Sequence, residues 1–270
     1  GPTEGAPGAP FFIPASGESA PGSQTPLLRG ILGSRQGPPM RTRRVFLDRL
    51  DAEMTSPDVV VVIDVLRSFT TAAYAFAAGA GVIYPVETIA EAHRLRSWFP
   101  RALTTGAIGG GDPIPDFDFG NSPTAFQPLH LGQRPLIQST AAGVRGLTRF
   151  GHARALFAGS LVCASATAAA IASLQPAEVT FVVTGEWVDR DGDEDIACAD
   201  YLESLLAGNK PDPWPFEQRV RDSDFGRRFG LPENPHLPAS DLALCASADV
   251  FDFALRASLG NQRLQLHAIR

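Results

Sequence analysis

Nowhere in this sequence does an apolar run approach the roughly 20 residues that a membrane-spanning helix needs. Its first residues also lack the basic-then-apolar order of a secretory signal, so a soluble, cytoplasmic protein with no membrane partner is expected. Cysteine is scarce: Cys163, Cys198 and Cys245 are far apart and form no CxxC pair. They read as small core residues rather than zinc ligands or a disulfide framework. Basic residues are outnumbered, 23 Lys and Arg against 29 Asp and Glu, for a formal net charge of -6. Phosphate-backbone binding needs concentrated cations, so nucleic acid is not an expected partner, although a small anion can bind where local charge opposes the global sign. The five histidines are scattered, and neither a His-rich metal site nor a Ser-His-Asp set is visible. No GxSxG nucleophile elbow occurs, no P-loop ending in Gly-Lys-Ser/Thr, and no GxGxxG opening a helix after a strand. Cys163 heads "CASATAA" without the arginine of a cysteine-phosphatase loop.

What is present is enough apolar material for a substantial core, 44% of 270 residues. It is unevenly spread. Residues 1–43 are rich in Gly, Pro, Ser and Ala and are expected to be disordered or loosely attached, with "FFIP" at Phe11–Pro14 as an apolar patch that could dock on a neighbour. Met40 is a plausible native start. From residue 44 to 270 strand-like and helix-like stretches alternate. "VVVVI" is followed by "SFTTAAYAFAAGA", and "VIYPV" by "TIAEAHRLRSWF", in which Thr88 and Glu91 have capping-box spacing. "PLIQS" leads to a Gly-containing turn and "RALFAG" to an alanine-rich segment. "VTFVVTG" precedes "EDIACADYLESLLAG", with Gly208 as its C-terminal cap. Such alternation implies βαβ units: a three-layer α/β fold, its mostly parallel sheet covered by helices on both faces. Ligands are then expected at the carboxyl ends of the strands. The Pro-punctuated stretch from about 209 to 240 is expected to wrap over the core, and the apolar closing segments to rejoin it.

Three regions put polar groups where that topology gathers them. Asp64 and Arg67 follow the "VVVVI" strand; they could be a turn-closing ion pair or the floor of a site. The stretch "TGAIGGGDPIPDFDFGNSP", Thr105–Pro123, carries five glycines and three aspartates. Without Cβ atoms its backbone N–H groups can approach an anion closely, though a long surface loop has the same composition. The third, "TGEWVDRDGDEDIACA", crowds six acidic residues around a helix start. Asp189, Asp191 and Asp193 suit an ordinary acidic loop and helix N-terminus. Glu194 and Asp195 differ, because Ile196, Ala199 and Leu202 mark the buried stripe and leave Asp195 beside it. Carboxylates there, near Asp64, would make an oxygen-rich magnesium site.

Taken in order, "VVIDVLRSFTTA", "DFDFGNSP", "STAAGVRGL", "AGSLVCASATA" and "VTGEW" followed by "EDIACA" resemble the 2-phosphosulfolactate phosphatases of the ComB type. The resemblance runs from about residue 44 to "CASADVFDF". It implies a Mg²⁺-dependent phosphomonoester hydrolase acting on 2-phosphosulfolactate or a related small phosphorylated acid. It makes Asp64 a metal ligand or catalytic carboxylate and Arg67 a phosphate or sulfonate clamp; with the residues read above, this gives Asp64, Arg67 and Asp195 as catalytic, Asp64, Glu194 and Asp195 as holding the metal or orienting water, and Arg67, Gly109, Gly110, Gly111, Asn121 and Ser122 as holding the substrate anion. Three positions depart from the family pattern. Ala107 stands where members tend to carry Glu, Cys163 where they carry Asn, and Ala141-Ala142-Gly143 where many have Thr-Asn-Gly.

The leading expectation is therefore a phosphatase whose partner is a small anionic phosphorylated substrate, with homo-oligomer formation left open. The alternative is a non-catalytic or repurposed member of the same fold that keeps an anion pocket, for which Ala107 and Cys163 speak. A haloacid-dehalogenase-like phosphatase fits less well, since that chemistry wants a second aspartate two positions after the first, where this chain has Leu66.

Overall fold

A computed structural model describes residues 40–50, 57–109, 111–187 and 190–270, all within one compact unit, Pro38–Arg270. The expected extension up to residue 39, Gly110 and Asp189 lie outside the described residues. Strand β1 (Arg41–Phe46) leads to β2 (Val59–Ile63) and helix α1 (Ser68–Ala77), and β3 (Val82–Val86) to α2 (Ile89–Trp98). Strand β4 (Leu103–Ile108) and two short strands, β5 (Asp112–Pro113) and β6 (Phe119–Gly120), precede β7 (Pro135–Ser139) and α3 (Ala142–Arg149). Next come β8 (Ala155–Gly159), α4 (Ala164–Ser173) and β9 (Glu178–Val183), then a ribbon of β10 (Glu186–Trp187) and β11 (Arg190–Asp191), and α5 (Asp193–Leu206). Helices α6 (Trp214–Asp222) and α7 (Ala239–Cys245) lead to a hairpin of β12 (Ala254–Gly260) and β13 (Arg263–Ile269).

The strands form a mixed, mostly parallel open sheet in the order β1-β9-β2-β8-β12-β13-β3-β7-β4-β5, with β6 also on β4. Two parallel groups are visible: β1, β9, β2 and β8 on one side, and β3, β7, β4 and β6 on the other. The β12–β13 hairpin lies between them and pairs antiparallel with β8 and β3. Pairing starts at Arg41, slightly before the boundary at 44 expected from composition. The strand is an edge, Arg41 to Arg43 are exposed, and so its residues carry no apolar alternation.

The unbroken "VVVVI" run has a direct cause. Val60 and Val62 pack into one core with Phe69, Ala72, Ala73 and Leu147 of α1 and α3. Val59, Val61 and Ile63 pack into the other with Ile171, Ala199 and Leu202 of α4 and α5. A strand covered on both faces has no solvent side and needs no polar alternation, and each of these fully buried side chains is worth about 1.5–3 kcal/mol. The result is the three-layer α/β arrangement, helices on both faces. The three cysteines are free and buried. Thr88 caps α2 by accepting from the Glu91 N–H at 3.1 Å, and Gly208 follows α5 at φ +82°, where a left-handed residue ends a helix at little cost. The 209–240 stretch holds more order than its prolines indicate: Val220, Phe225, Phe229 and Leu237 belong to the second core. Among the described residues, no helix is long and apolar enough to cross a membrane.

Candidate active site

Where β2 ends, Asp64 is buried and its carboxylate is held by the start of two helices. Its Oδ1 accepts from the Ser68 N–H (3.0 Å) at the head of α1, and its Oδ2 from the Ser68 hydroxyl (2.6 Å) and the Gly143 N–H (3.0 Å) in the first turn of α3. That approach requires glycine at 143, since a Cβ there would sit 2.8 Å from Asp64 Oδ2 and 3.0 Å from the Phe69 ring. Burial raises the Asp64 pKa, opposed by the hydrogen bonds from Ser68 and Gly143 and by the nearby Arg190 charge.

Asp64 lines a cavity of about 70 Å³ together with Arg67, Ala107, Gly109, Gly111, Asn121 and Thr140, and with Ala141, Ala142, Arg190 and Phe225. Strands of both parallel groups contribute: Asp64 follows β2, Gly109 follows β4, Asn121 follows β6 and Thr140 follows β7. Two of these side chains, Asn121 (7% exposed) and Thr140 (6%), carry polar atoms with no protein partner, Asn121 Oδ1 and Thr140 Oγ1. Buried polar atoms are normally satisfied, and both of these belong to residues of the cavity wall.

Arg67 is 3% exposed. Its Nη1 donates to Asp241 Oδ2 (2.7 Å) and to the His236 carbonyl (2.9 Å), and its Nη2 donates to the Gly111 carbonyl (3.3 Å). Gly111 has φ +110°, and a Cβ on it would meet Arg67 Nη2 at 2.9 Å and Leu237 at 2.8 Å, so only glycine fits this turn of the loop. Asp241, fully buried in α7, also accepts from Ser122 Oγ (2.8 Å) and the Thr124 N–H (3.2 Å). Ser122 therefore points at Asp241 and is absent from the cavity wall, while its neighbour Asn121 is on it.

Glu194 and Asp195 sit behind Asp64, off the cavity wall. Asp195 is saturated by protein donors: Oδ1 takes the Val65 N–H (2.9 Å), and Oδ2 takes the Thr184 N–H (3.0 Å), the Thr184 hydroxyl (3.2 Å) and the Gly185 N–H (2.8 Å). It pins the ends of β2 and β9 to the start of α5. Glu194 is its opposite, for its buried Oε2 has no hydrogen-bond partner. Burial pushes the Glu194 pKa up to about 7, with the charges of Asp191 and Asp64 adding to the rise. Burial, then Glu194 and Asp64, push Asp195 well above the usual carboxylate range. Along α5, Glu194, Asp195, Cys198, Ala199 and Leu202 are buried, whereas Ile196, expected on the buried stripe, is only half-buried. Among the described residues, no group of three or more His, Cys, Asp or Glu side chains is arranged to hold a metal ion.

The structure thus brings Asp64, Arg67, Gly109, Gly111 and Asn121 to one cavity, sets Glu194 and Asp195 behind it, and turns Ser122 aside. Thr140, Arg190, Phe225 and Asp241 were not singled out in the sequence. Thr140 had a signal, since it ends a strand-like "PLIQST" in the same way that Asp64 ends "VVVVID". Of the departures from the family pattern, Ala107 is on the cavity wall, while Cys163, just before α4, is fully buried in the core that α1 and α3 cover.

A sequence model of 2-phosphosulpholactate phosphatase matches residues 46–225, which run from the end of β1 through α6 and contain the whole cavity wall. A Bacillus subtilis (strain 168) protein named "Probable 2-phosphosulfolactate phosphatase" is 30% identical over 200 residues, 74% of this chain and 86% of that protein. Proteins of the same name from Carboxydothermus hydrogenoformans and Synechococcus sp. (strain RCC307) are 42% identical over 151 residues and 36% identical over 165 residues. These alignments cover 56% and 60% of this chain and 61% and 66% of the relatives. With more than half of its length matched and the cavity inside the match, the chain belongs to the 2-phosphosulpholactate phosphatase family.

Proposed function

We propose that the chain hydrolyses the phosphate ester of 2-phosphosulfolactate or a similar small phosphorylated acid, in the cavity at Asp64, with magnesium. The observation that carries this reading is the buried, unpartnered Thr140 hydroxyl beside a buried carboxylate and a buried guanidinium; Asn121 Oδ1, also unpartnered, is an acceptor and would take a water or a cation. The Thr140 hydroxyl can donate to a phosphate oxygen. Arg67 retains its Nε–H and one Nη2–H after its three protein contacts, since a guanidinium has five N–H donors. Asp64 Oδ1 accepts one protein hydrogen bond and keeps a lone pair for one incoming partner, the ion or the attacking water. The narrow cavity and the burial around it keep that water in place and limit competing solvent.

Magnesium takes oxygen ligands and needs only one or two carboxylates, the rest being water and substrate oxygens. The orphaned Glu194 Oε2 and the half-engaged Asp64 Oδ1 fit that demand, while the four donors on Asp195 leave it as the clamp behind them. Asp64 and Glu194 would therefore hold the ion, which when bound draws off charge from the phosphoryl oxygens. The test is phosphate release from 2-phosphosulfolactate with and without magnesium. Magnesium-dependent turnover is expected, and no release under either condition would overturn the reading.

A second reading has one observation in its favour: Ala107, where relatives tend to carry a carboxylate, lies on the cavity wall. A chain that binds inorganic phosphate tightly but hydrolyses no small phosphate ester would be a repurposed anion-binding member of the family.

A further inference from the structure

The segment that follows the family-matched residues packs off the cavity wall, and a single carboxylate in it holds two of the segments that line the cavity. Asp241 lies in α7, fully buried, beyond the matched range of 46–225. Its two oxygens hold different parts of the cavity. Oδ2 grips Arg67, from the turn between β2 and α1, and Oδ1 takes Ser122 and Thr124, from the loop after β6 that carries Asn121. Those two segments come from strands in opposite parallel groups of the sheet. The carbonyl of His236, just before α7, occupies the second proton of the same Arg67 Nη1, and the Phe229 ring lies 5.6 Å from the guanidinium carbon.

We infer that Asp241 is a positioning residue of the phosphatase site: it fixes the Arg67 guanidinium and the Asn121 loop in register with each other. This rests on the proposed phosphatase reading. With both Nη1 protons taken, the guanidinium plane is set and the remaining donors stay on the Nε and Nη2 edge, the paired edge that matches two oxygens of a phosphate. A buried ion pair is poor evidence of added stability, because removing two charges from water offsets much of their attraction. Its use here is geometric. The negative charge of Asp241 weakens the pull of Arg67 on an anion, and what it supplies in return is a fixed orientation of both anion-holding segments.

The experiment measures kcat and KM for 2-phosphosulfolactate, affinity for inorganic phosphate by calorimetry, and melting temperature. The proteins are the wild type, Asp241→Ala, Asp241→Asn, Ser122→Ala and, as control, Asp252→Asn, whose partner is the exposed Arg270. Asp241→Ala should raise KM and weaken phosphate binding by about 10- to 100-fold, the size expected of a misplaced anion clamp. Asp241→Asn keeps an acceptor for Arg67 and should recover part of both. Ser122→Ala should show a smaller loss of the same kind, and Asp252→Asn none. A lower melting temperature with unchanged KM and phosphate affinity would make Asp241 merely structural and overturn the inference. If Asp241→Ala does not fold, the other two site variants decide: weaker phosphate binding at unchanged melting temperature supports the inference, and unchanged binding in both overturns it. A wild type that binds phosphate without turnover ends the phosphatase reading alone, and Asp241 is then judged on phosphate affinity. A wild type that does neither ends both.

Discussion

Asp64 and Asp195 are both aspartates, both buried, and both pushed towards neutrality by burial, yet they belong to regions built for different ends. Around Asp195 every oxygen is met by backbone and hydroxyl donors from Val65, Thr184 and Gly185, so the carboxylate closes the junction of β2, β9 and α5. Around Asp64 the supply of donors stops short, and the neighbouring cavity holds two further polar atoms with nothing to bind. The lesson is that burial and a raised pKa do not by themselves mark a catalytic carboxylate. Incomplete satisfaction, facing a cavity, is the more telling feature.

Four measurements break or sharpen that contrast. On the proposed reading, Asp64→Asn should lower phosphate release by at least about 100-fold, the order expected when a carboxylate that would hold the metal loses its charge. The melting temperature should move little by comparison, and an unchanged rate would remove Asp64 from the chemistry. Asp195→Ala should do the reverse. It strands buried donors at three residues and should cost about 3 kcal/mol or more of stability, read from denaturant midpoints, while Asp195→Asn costs less. A variant as stable as wild type would show that the junction does not depend on it.

Glu194 gives a smaller effect with a definite sign. Its folded pKa of about 7 lies above the ordinary 4.5, so between those values the folded protein binds more protons than the unfolded chain. Stability of the magnesium-free protein therefore falls as pH rises from 4.5 to 7, by roughly 3 kcal/mol at most. Glu194→Gln should flatten that slope in urea titrations at a series of pH values, and an unchanged slope would assign it elsewhere. Smallest of the four, Ala107→Glu adds a carboxylate to the cavity wall. It should tighten magnesium binding or raise turnover by about three- to tenfold, as one added hard oxygen ligand can do; weakened binding would show that the wall has no room for it.

Much of this was legible before any coordinates. A short, unbroken β-branched run reads as a strand covered on both faces, and β2 is one. Residues that directly follow strands are carried to a common region by the topology, which is why Asp64, Arg67 and Asn121 meet. Asp241 was not legible, because it stands 174 positions from Arg67 in a seven-residue helix among prolines and charges, and nothing local advertises its partner. The contact from Ser122 to Asp241 was not legible for a related reason: a loop residue faces whatever distant segment packs beside it. Helices α6 and α7 were hidden by the prolines at their starts, which read as breakers but are tolerated in a first helical turn.

The place of the β12–β13 hairpin carries a consequence for how the chain is made. Among the described strands these two come last in chain order, yet they lie in the middle of the sheet, between β8 and β3. As synthesis proceeds, the facing edges of β8 and β3 emerge long before their partners, each presenting unpaired backbone groups to any other strand nearby. Completion of the sheet waits on contacts between residues far apart in sequence, the kind of closure that slows folding. A chain truncated before residue 254 is therefore expected to leave the facing edges of β8 and β3 unpaired, and to pair with its own copies more readily than the full chain.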